Sequence, residues 1–238
     1  MDPSETPTDG FSQGSLLHGV CLAVCALAAL AIAVAARRWR NDELASAWWR
    51  RGIAVGCLLS WALTVGYSAH PARFSWDSSL PLQFCNLANL LGAYAVASRH
   101  RLAQALMYFW TFALSSWAFL TPSLYVGPSH LQFWIFWNYH VFIPIATAWI
   151  LVADRFRPDW TDWGRALAVS VAYMGALAVL DAITGWNYGF VGPDTPTQAN
   201  LLDFLGPYPI RLLWMLLVGT GLFALLMLPR AFRRRGGG

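Results

Sequence analysis

GSLLHGVCLAVCALAALAIAVAARRWR, residues 14 to 40, decides the architecture. From Gly14 to Ala36 there is no Asp, Glu, Lys or Arg, and Arg37, Arg38 and Arg40 close the run. A helix that crosses a bilayer needs about 20 apolar residues, and this stretch supplies them. The start of the chain is acidic (Asp2, Glu5, Asp9), and the apolar run is too long for a signal-peptide core. We read it as an uncleaved first membrane span.

The rest of the 238 residues repeats the pattern. Hydrophobic residues make up 57% and charged residues 12%, against about 25% charge in an ordinary soluble domain. Mean hydropathy is +0.45. A water-solvated domain around one core is excluded. Nucleic-acid binding is excluded as a first reading despite a net charge of +4, because the basic residues, all arginine, sit at the ends of apolar runs. Seven runs are legible: 14–36, 51–69, 81–98, 102–120, 131–153, 163–183 and 208–228. Six spans and one re-entrant segment is the competing count, because the flanks of the break at His70-Pro71-Ala72-Arg73 are mildly polar. The expected fold is all-α: a single transmembrane bundle over 14–228, with a short outer segment 1–13 and an Arg-rich cytoplasmic tail 229–238.

Orientation follows from arginine, which cytoplasmic loops hold in excess. Arg37, Arg38, Arg40, Arg50 and Arg51 fall in the first loop, and Arg99 and Arg101 in the third. Arg155, Arg157 and Arg165 fall in the fifth, and Arg230, Arg233, Arg234 and Arg235 in the tail. The opposite side keeps Arg73 and Arg211 and carries Asp77, Asp194 and Asp203. The N-terminus is therefore expected outside and the C-terminus inside. Tryptophans at span ends, such as Trp48, Trp76, Trp134 and Trp160, fit an interfacial aromatic belt. Gly52 and Gly56, in G-x-x-x-G spacing, predict a close helix approach.

Polar groups inside spans are costly, so their positions carry information. The third span opens Leu80-Pro81-Leu82-Gln83-Phe84-Cys85-Asn86-Leu87-Ala88-Asn89, which puts Gln83, Asn86 and Asn89 on one helical face beside Cys85. The fifth carries Asn138-Tyr139-His140, with Pro144 removing the helical partner of the His140 carbonyl. Asp181 lies near the outer end of the sixth span, Asn187 and Tyr188 in the loop after it, and Arg211 near the outer start of the seventh. These groups predict a polar pocket in the outer half, lined by spans three, five, six and seven. The nearly apolar inner halves argue against a through-going channel.

Cys85 and His140 are the reactive pair in this set. A free thiol titrates near about pH 8.5 and is nucleophilic as the thiolate, so an imidazole within hydrogen-bond reach would serve as its base. Gln83, Asn86, Asn89 and Asn138 are the amide types that position a substrate or donate to an oxyanion. The bland alternative makes Cys85 a small packing residue and His140 a hydrogen-bonded core residue. Asp181 and Arg211 are expected as an ion pair between spans six and seven, or Asp181 as the group that orients His140. No Cys/His spacing predicts a metal, and no Gly-rich loop predicts a nucleotide or other cofactor.

The run Leu80 to Cys85, then Asn138-Tyr139-His140, then Asn187-Tyr188 before a Pro-rich loop ending Leu205-Gly206-Pro207-Tyr208-Pro209, resembles the YwaF family over residues 45–230. These are bacterial multi-span membrane proteins. The family is similar to a eukaryotic membrane enzyme, transmembrane protein 164. That resemblance implies acyl transfer between phospholipids, with Cys85 carrying the acyl group and His140 as its partner. Many relatives carry His where this chain has Gln83. The resemblance further implies residence in the bacterial cytoplasmic membrane, with membrane lipids as substrate or ligand. Asp181, Asn187, Tyr188 and Arg211 are expected to support the site. The other function class for the same pocket is lipid or small-solute binding or transport without chemistry.

Overall fold

The computed structural model describes residues 10–193 and 201–228. The acidic residues Asp2, Glu5, Asp9 and Asp194 and the Arg-rich tail lie outside the described residues. Seven helices are present among those described: α1 Leu16–Trp39, α2 Glu43–Ser68, α3 Phe84–Ser98, α4 from Arg101–Phe109, α5 Leu131–Val152, α6 Trp160–Thr184 and α7 Ile210–Leu225. α4 continues through a π-helical stretch, Trp110–Ser115, into a last turn, Trp117–Leu120. The helices follow the apolar runs of the sequence, and the architecture is all-α.

α1, α5 and α6 are each long and apolar enough to cross a membrane unaided. α3 and α7, at 15 and 16 residues, rise only about 22–24 Å, short of the ~30 Å hydrocarbon core. The chain is a multi-pass membrane protein by the length and hydropathy of its helices. α3 is short because Pro81 precedes it and Gln83 is its N-cap, so residues 69–83 approach it as turns. Leu27, Leu30 and Val34 of α1 and Leu213 and Leu217 of α7 are exposed, as helices solvated by lipid require.

α5 is the hub and packs against α1, α2, α3 and α4. α4 reaches across to α6, and α6 and the π-helical stretch hold α7. The close approach of α2 to α5 depends on Gly56, where an added Cβ would stand 2.2 Å from the Phe142 ring. Gly52 faces open space, so only one of the paired glycines makes the contact that the G-x-x-x-G spacing predicts. Polar ties are sparse. Thr111 and Thr147 hydroxyls lie 2.6 Å apart between α4 and α5. Trp110 Nε1 donates to Ser170 Oγ of α6 at 2.8 Å.

Charge gathers at one end. Arg50, at the start of α2, forms a bidentate pair with Asp154 after α5 and donates to the Val96 carbonyl of α3 at 3.1 Å. Gln104 of α4 donates to the same carboxylate at 2.7 Å. Arg101 meets Asp162 at 2.7 Å and Asp159 at 2.9 Å, and these two aspartates form the capping box that starts α6. The arginines assigned to loops one, three and five thus gather at one end of the bundle, with the correction that Arg50 and Arg51 lie inside α2 and Arg165 inside α6. At the opposite end Phe11 N–H donates to Tyr125 O at 3.0 Å, and His18 Nε2 meets Phe119 O at 2.8 Å.

Candidate active site

A cavity of ≈ 400 Å³ opens in the half of the bundle away from the arginine-rich end. Cys85 of α3 and His140 of α5, 55 positions apart in the chain, both line it. So do Gln83 and Asn86. Most of its remaining wall is apolar, including Ala113, Leu114 and Trp117 of α4 and Met215, Val218 and Leu222 of α7. The expectation of walls from spans three, five, six and seven needs correction. The distal part of α4 is a principal wall, whereas α6 contributes Met174 alone.

His140 is 5% exposed. Its Nδ1 lies 2.8 Å from the Phe136 carbonyl one turn back in α5. A carbonyl oxygen can only accept, so Nδ1 carries the hydrogen and, in the neutral ring, Nε2 keeps the lone pair. Phe136 packs on the imidazole at 4.2 Å between ring centroids, and Tyr139 meets it edge-on at 4.7 Å. The backbone and two aromatic rings therefore fix both tautomer and orientation. Asp181 takes no part in orienting the ring, because it accepts the Tyr188 N–H at 3.1 Å instead.

Cys85 sits in the first turn of α3, and its thiol points at Ser115 Oγ, 3.8 Å away; it makes no hydrogen bond to His140, so the expected direct thiol–imidazole contact is a correction. Ser115 is fully buried at the end of the π-helical stretch. A π-bulge shifts the register of every later side chain, and such bulges are frequent at functional sites. The sequence reading missed Ser115. Its only signal was one hydroxyl in a span that also carries Gln104, Thr111 and Ser116.

The amides differ in what they hold. Asn89 is 0% exposed, and its Nδ2 donates to Cys85 O at 3.3 Å and to Tyr139 O at 3.0 Å. One side chain thus joins the backbone of the cysteine to the peptide just before His140. Gln83 Oε1 accepts the Gly189 N–H at 3.0 Å and holds the connection after α6 over the cavity. The Asn86 side chain makes no hydrogen bond among the described residues, and its Oδ1 is buried. Asn138 turns away from the cavity and donates to Ser60 Oγ of α2 at 3.0 Å, so its expected place beside the substrate is a correction.

The supporting residues build the rim. Tyr188 is fully buried, and its hydroxyl donates to Trp76 O at 2.7 Å and accepts from Leu80 N–H at 2.9 Å. Burial pushes this phenol above its ordinary value. Asn187 Oδ1 accepts the Gly192 N–H at 2.9 Å, and Arg211, 2% exposed, donates to the Gly192 carbonyl. Asp181 and Arg211 do not pair with each other, because loop backbone groups take both. Among the described residues no three His, Cys, Asp or Glu side chains gather as a metal site.

No curated protein and no solved structure is found to match the chain. The TMEM164 family profile matches residues 11–227, a stretch that contains every helix and every residue of the cavity, and on that match the chain belongs to the TMEM164 family.

Proposed function

We propose that this protein is a lipid acyltransferase or acyl hydrolase of the bacterial cytoplasmic membrane, with Cys85 as nucleophile and His140 as general base and then acid. The observation that carries the reading is that a thiol and an oriented imidazole from separate helices line one apolar cavity. Family membership supports it. The bundle crosses the membrane seven times, the N-terminus outside, so the cavity lies in the outer half.

The Cys85 thiol turns from Ser115 toward His140 and gives its proton to Nε2, and its sulfur attacks the ester carbonyl of a phospholipid. Asn86 and the free amide of Gln83 donate to the oxyanion. The C–O bond breaks as His140 returns the proton to the departing lysophospholipid. A second alcohol, or water, then gives a proton to His140 and attacks the thioester, and the departing Cys85 sulfur takes that proton back from His140. Asn89 acts as a positioning residue throughout, and the apolar wall from α4 and α7 holds the acyl chain.

The test uses the full chain in liposomes with a phospholipid bearing an alkyne-tagged acyl chain. Wild type is expected to acquire a hydroxylamine-labile label, and Cys85→Ala, Cys85→Ser and His140→Gln to lose it without a lower melting temperature. Lipid turnover that survives in Cys85→Ser sinks the thioester mechanism. Saturable lipid binding without turnover in wild type points instead to a carrier using the same cavity.

A further inference from the structure

The arginines at the charged end differ in what satisfies them. Arg50, Arg99 and Arg101 each meet a carboxylate. Arg38 and Arg51 lie over the Trp39 and Trp48 rings at 5.1 and 5.6 Å. Arg157 donates to the Leu151 and Phe156 carbonyls at 3.0 and 2.7 Å. Arg37, Arg40 and Arg155 have neither carboxylate nor aromatic partner among the described residues, and Arg40 Nε is buried with no acceptor.

These three, with Arg157, line one cavity of ≈ 480 Å³ between the end of α1 and the loop after α5. Leu151 and Val152 complete its wall. No nearby carboxylate of the described residues neutralises it: Asp154 is held by Arg50, Arg99 and Gln104, Asp159 and Asp162 by Arg101, and Glu43 forms no ion pair. Asp42 caps α2 through the Ala45 N–H. Arg155 also stands at φ 51°, a left-handed conformation rare for a side chain of this size. Cations from segments over a hundred residues apart are thus gathered with no carboxylate of the described residues paired to them. Topology alone requires arginines at this end, but not that they converge on one concavity.

We infer that this cavity is a binding site for a phosphate group. Guanidinium forks match phosphate oxygens in pairs, and apolar Leu151 and Val152 suit the glycerol and first methylenes of a lipid below it. The exposed Trp48 and Trp160 place this end at the membrane interface, where anionic headgroups are concentrated. The site lies at the opposite end from Cys85 and does not depend on chemistry there.

The test is native mass spectrometry of the purified full chain with dihexanoyl phosphatidylglycerol, dihexanoyl phosphatidylcholine and glycerol 3-phosphate as probes. Wild type is expected to bind the anionic lipid at least about tenfold more tightly than the zwitterionic one. Arg40→Gln/Arg155→Gln should abolish that preference. So should Arg37→Gln/Arg155→Gln, whose side chains are exposed and whose loss leaves packing untouched. Arg38→Gln/Arg51→Gln removes the same charge outside the cavity and should keep the preference within about twofold. Displacement of the lipid by glycerol 3-phosphate identifies a soluble phosphate as a sufficient ligand. Failure to displace it identifies the lipid headgroup. No preference in wild type, or equal loss in the cavity pairs and the control pair, overturns the site.

Discussion

Asn89→Leu isolates the amide that joins α3 to α5. Leucine has a similar volume, so the substitution removes two donated hydrogen bonds without opening a void. Both acceptors, the Cys85 and Tyr139 carbonyls, lie inside helices and keep their i+4 backbone partners. No orphaned acceptor remains, which holds the cost toward the low end of the range. An interhelical hydrogen bond in a membrane protein is worth about 0.6 and at most about 1.7 kcal/mol. We therefore expect a loss of about 1 kcal/mol, read as a melting temperature lower by roughly 2–4 °C in a chain of this size. Asn89→Ala adds a void and should lose roughly a further 1–2 kcal/mol. Acyl labelling of Cys85 should fall in both variants at temperatures where each is fully folded, because the bond fixes the spacing of Cys85 against His140. Wild-type melting in Asn89→Leu together with wild-type labelling would refute the bridging role.

Other substitutions probe the packing and the topology. Gly56→Ala drives a methyl into the Phe142 ring and should cost about 1–3 kcal/mol; Phe142→Leu on that background should restore most of the loss, and unchanged melting of the single variant contradicts the close approach. Arg50→Met breaks the buried pair with Asp154 at a cost of about 3 kcal/mol, while Arg50→Met/Asp154→Met should recover much of it. A double variant as unstable as the single one rules out the stranded carboxylate as the cause. For topology, a cysteine at Ser78 on a background without other cysteines should react with an impermeant maleimide added outside cells, and one at Ser98 should not. The reverse pattern inverts the orientation.

The helices were legible because most apolar runs are bounded by arginine, proline or a polar cap, although α2 starts at Glu43, eight residues before the run read from 51. α5 was placed to within a residue by Ser129-His130 before it and Asp154-Arg155 after it. The facing of residues on α3 was legible in part: Gln83 and Asn86 line the cavity with Cys85, while Asn89, at the same three-residue spacing, turns to the Tyr139 carbonyl of α5. Asn138 shows where adjacency misleads. It is two residues from His140, about 200° around the helix, and so it meets Ser60 on α2 while His140 meets the cavity. The expected pairing of Asp181 with Arg211 failed for another reason. Their charges were visible, but the backbone groups they bond, Tyr188 N–H and Gly192 O, come from a loop whose path no side-chain pattern encodes. The α4 wall was hidden similarly, since a π-helical turn has no periodic signature and its surface is built largely from alanine and leucine.

The contact between His140 and the Phe136 carbonyl has a consequence for how this site is mapped. The group that sets the imidazole tautomer is a main-chain atom, and every residue type supplies the same oxygen. On the proposed mechanism, an alanine scan would therefore return Cys85 and His140 as a two-member unit and pass over the third member at position 136. Replacing Phe136 removes the ring packed against the imidazole but leaves the acceptor in place. Only a change of the atom itself, such as a backbone ester that weakens the carbonyl as an acceptor, would expose it.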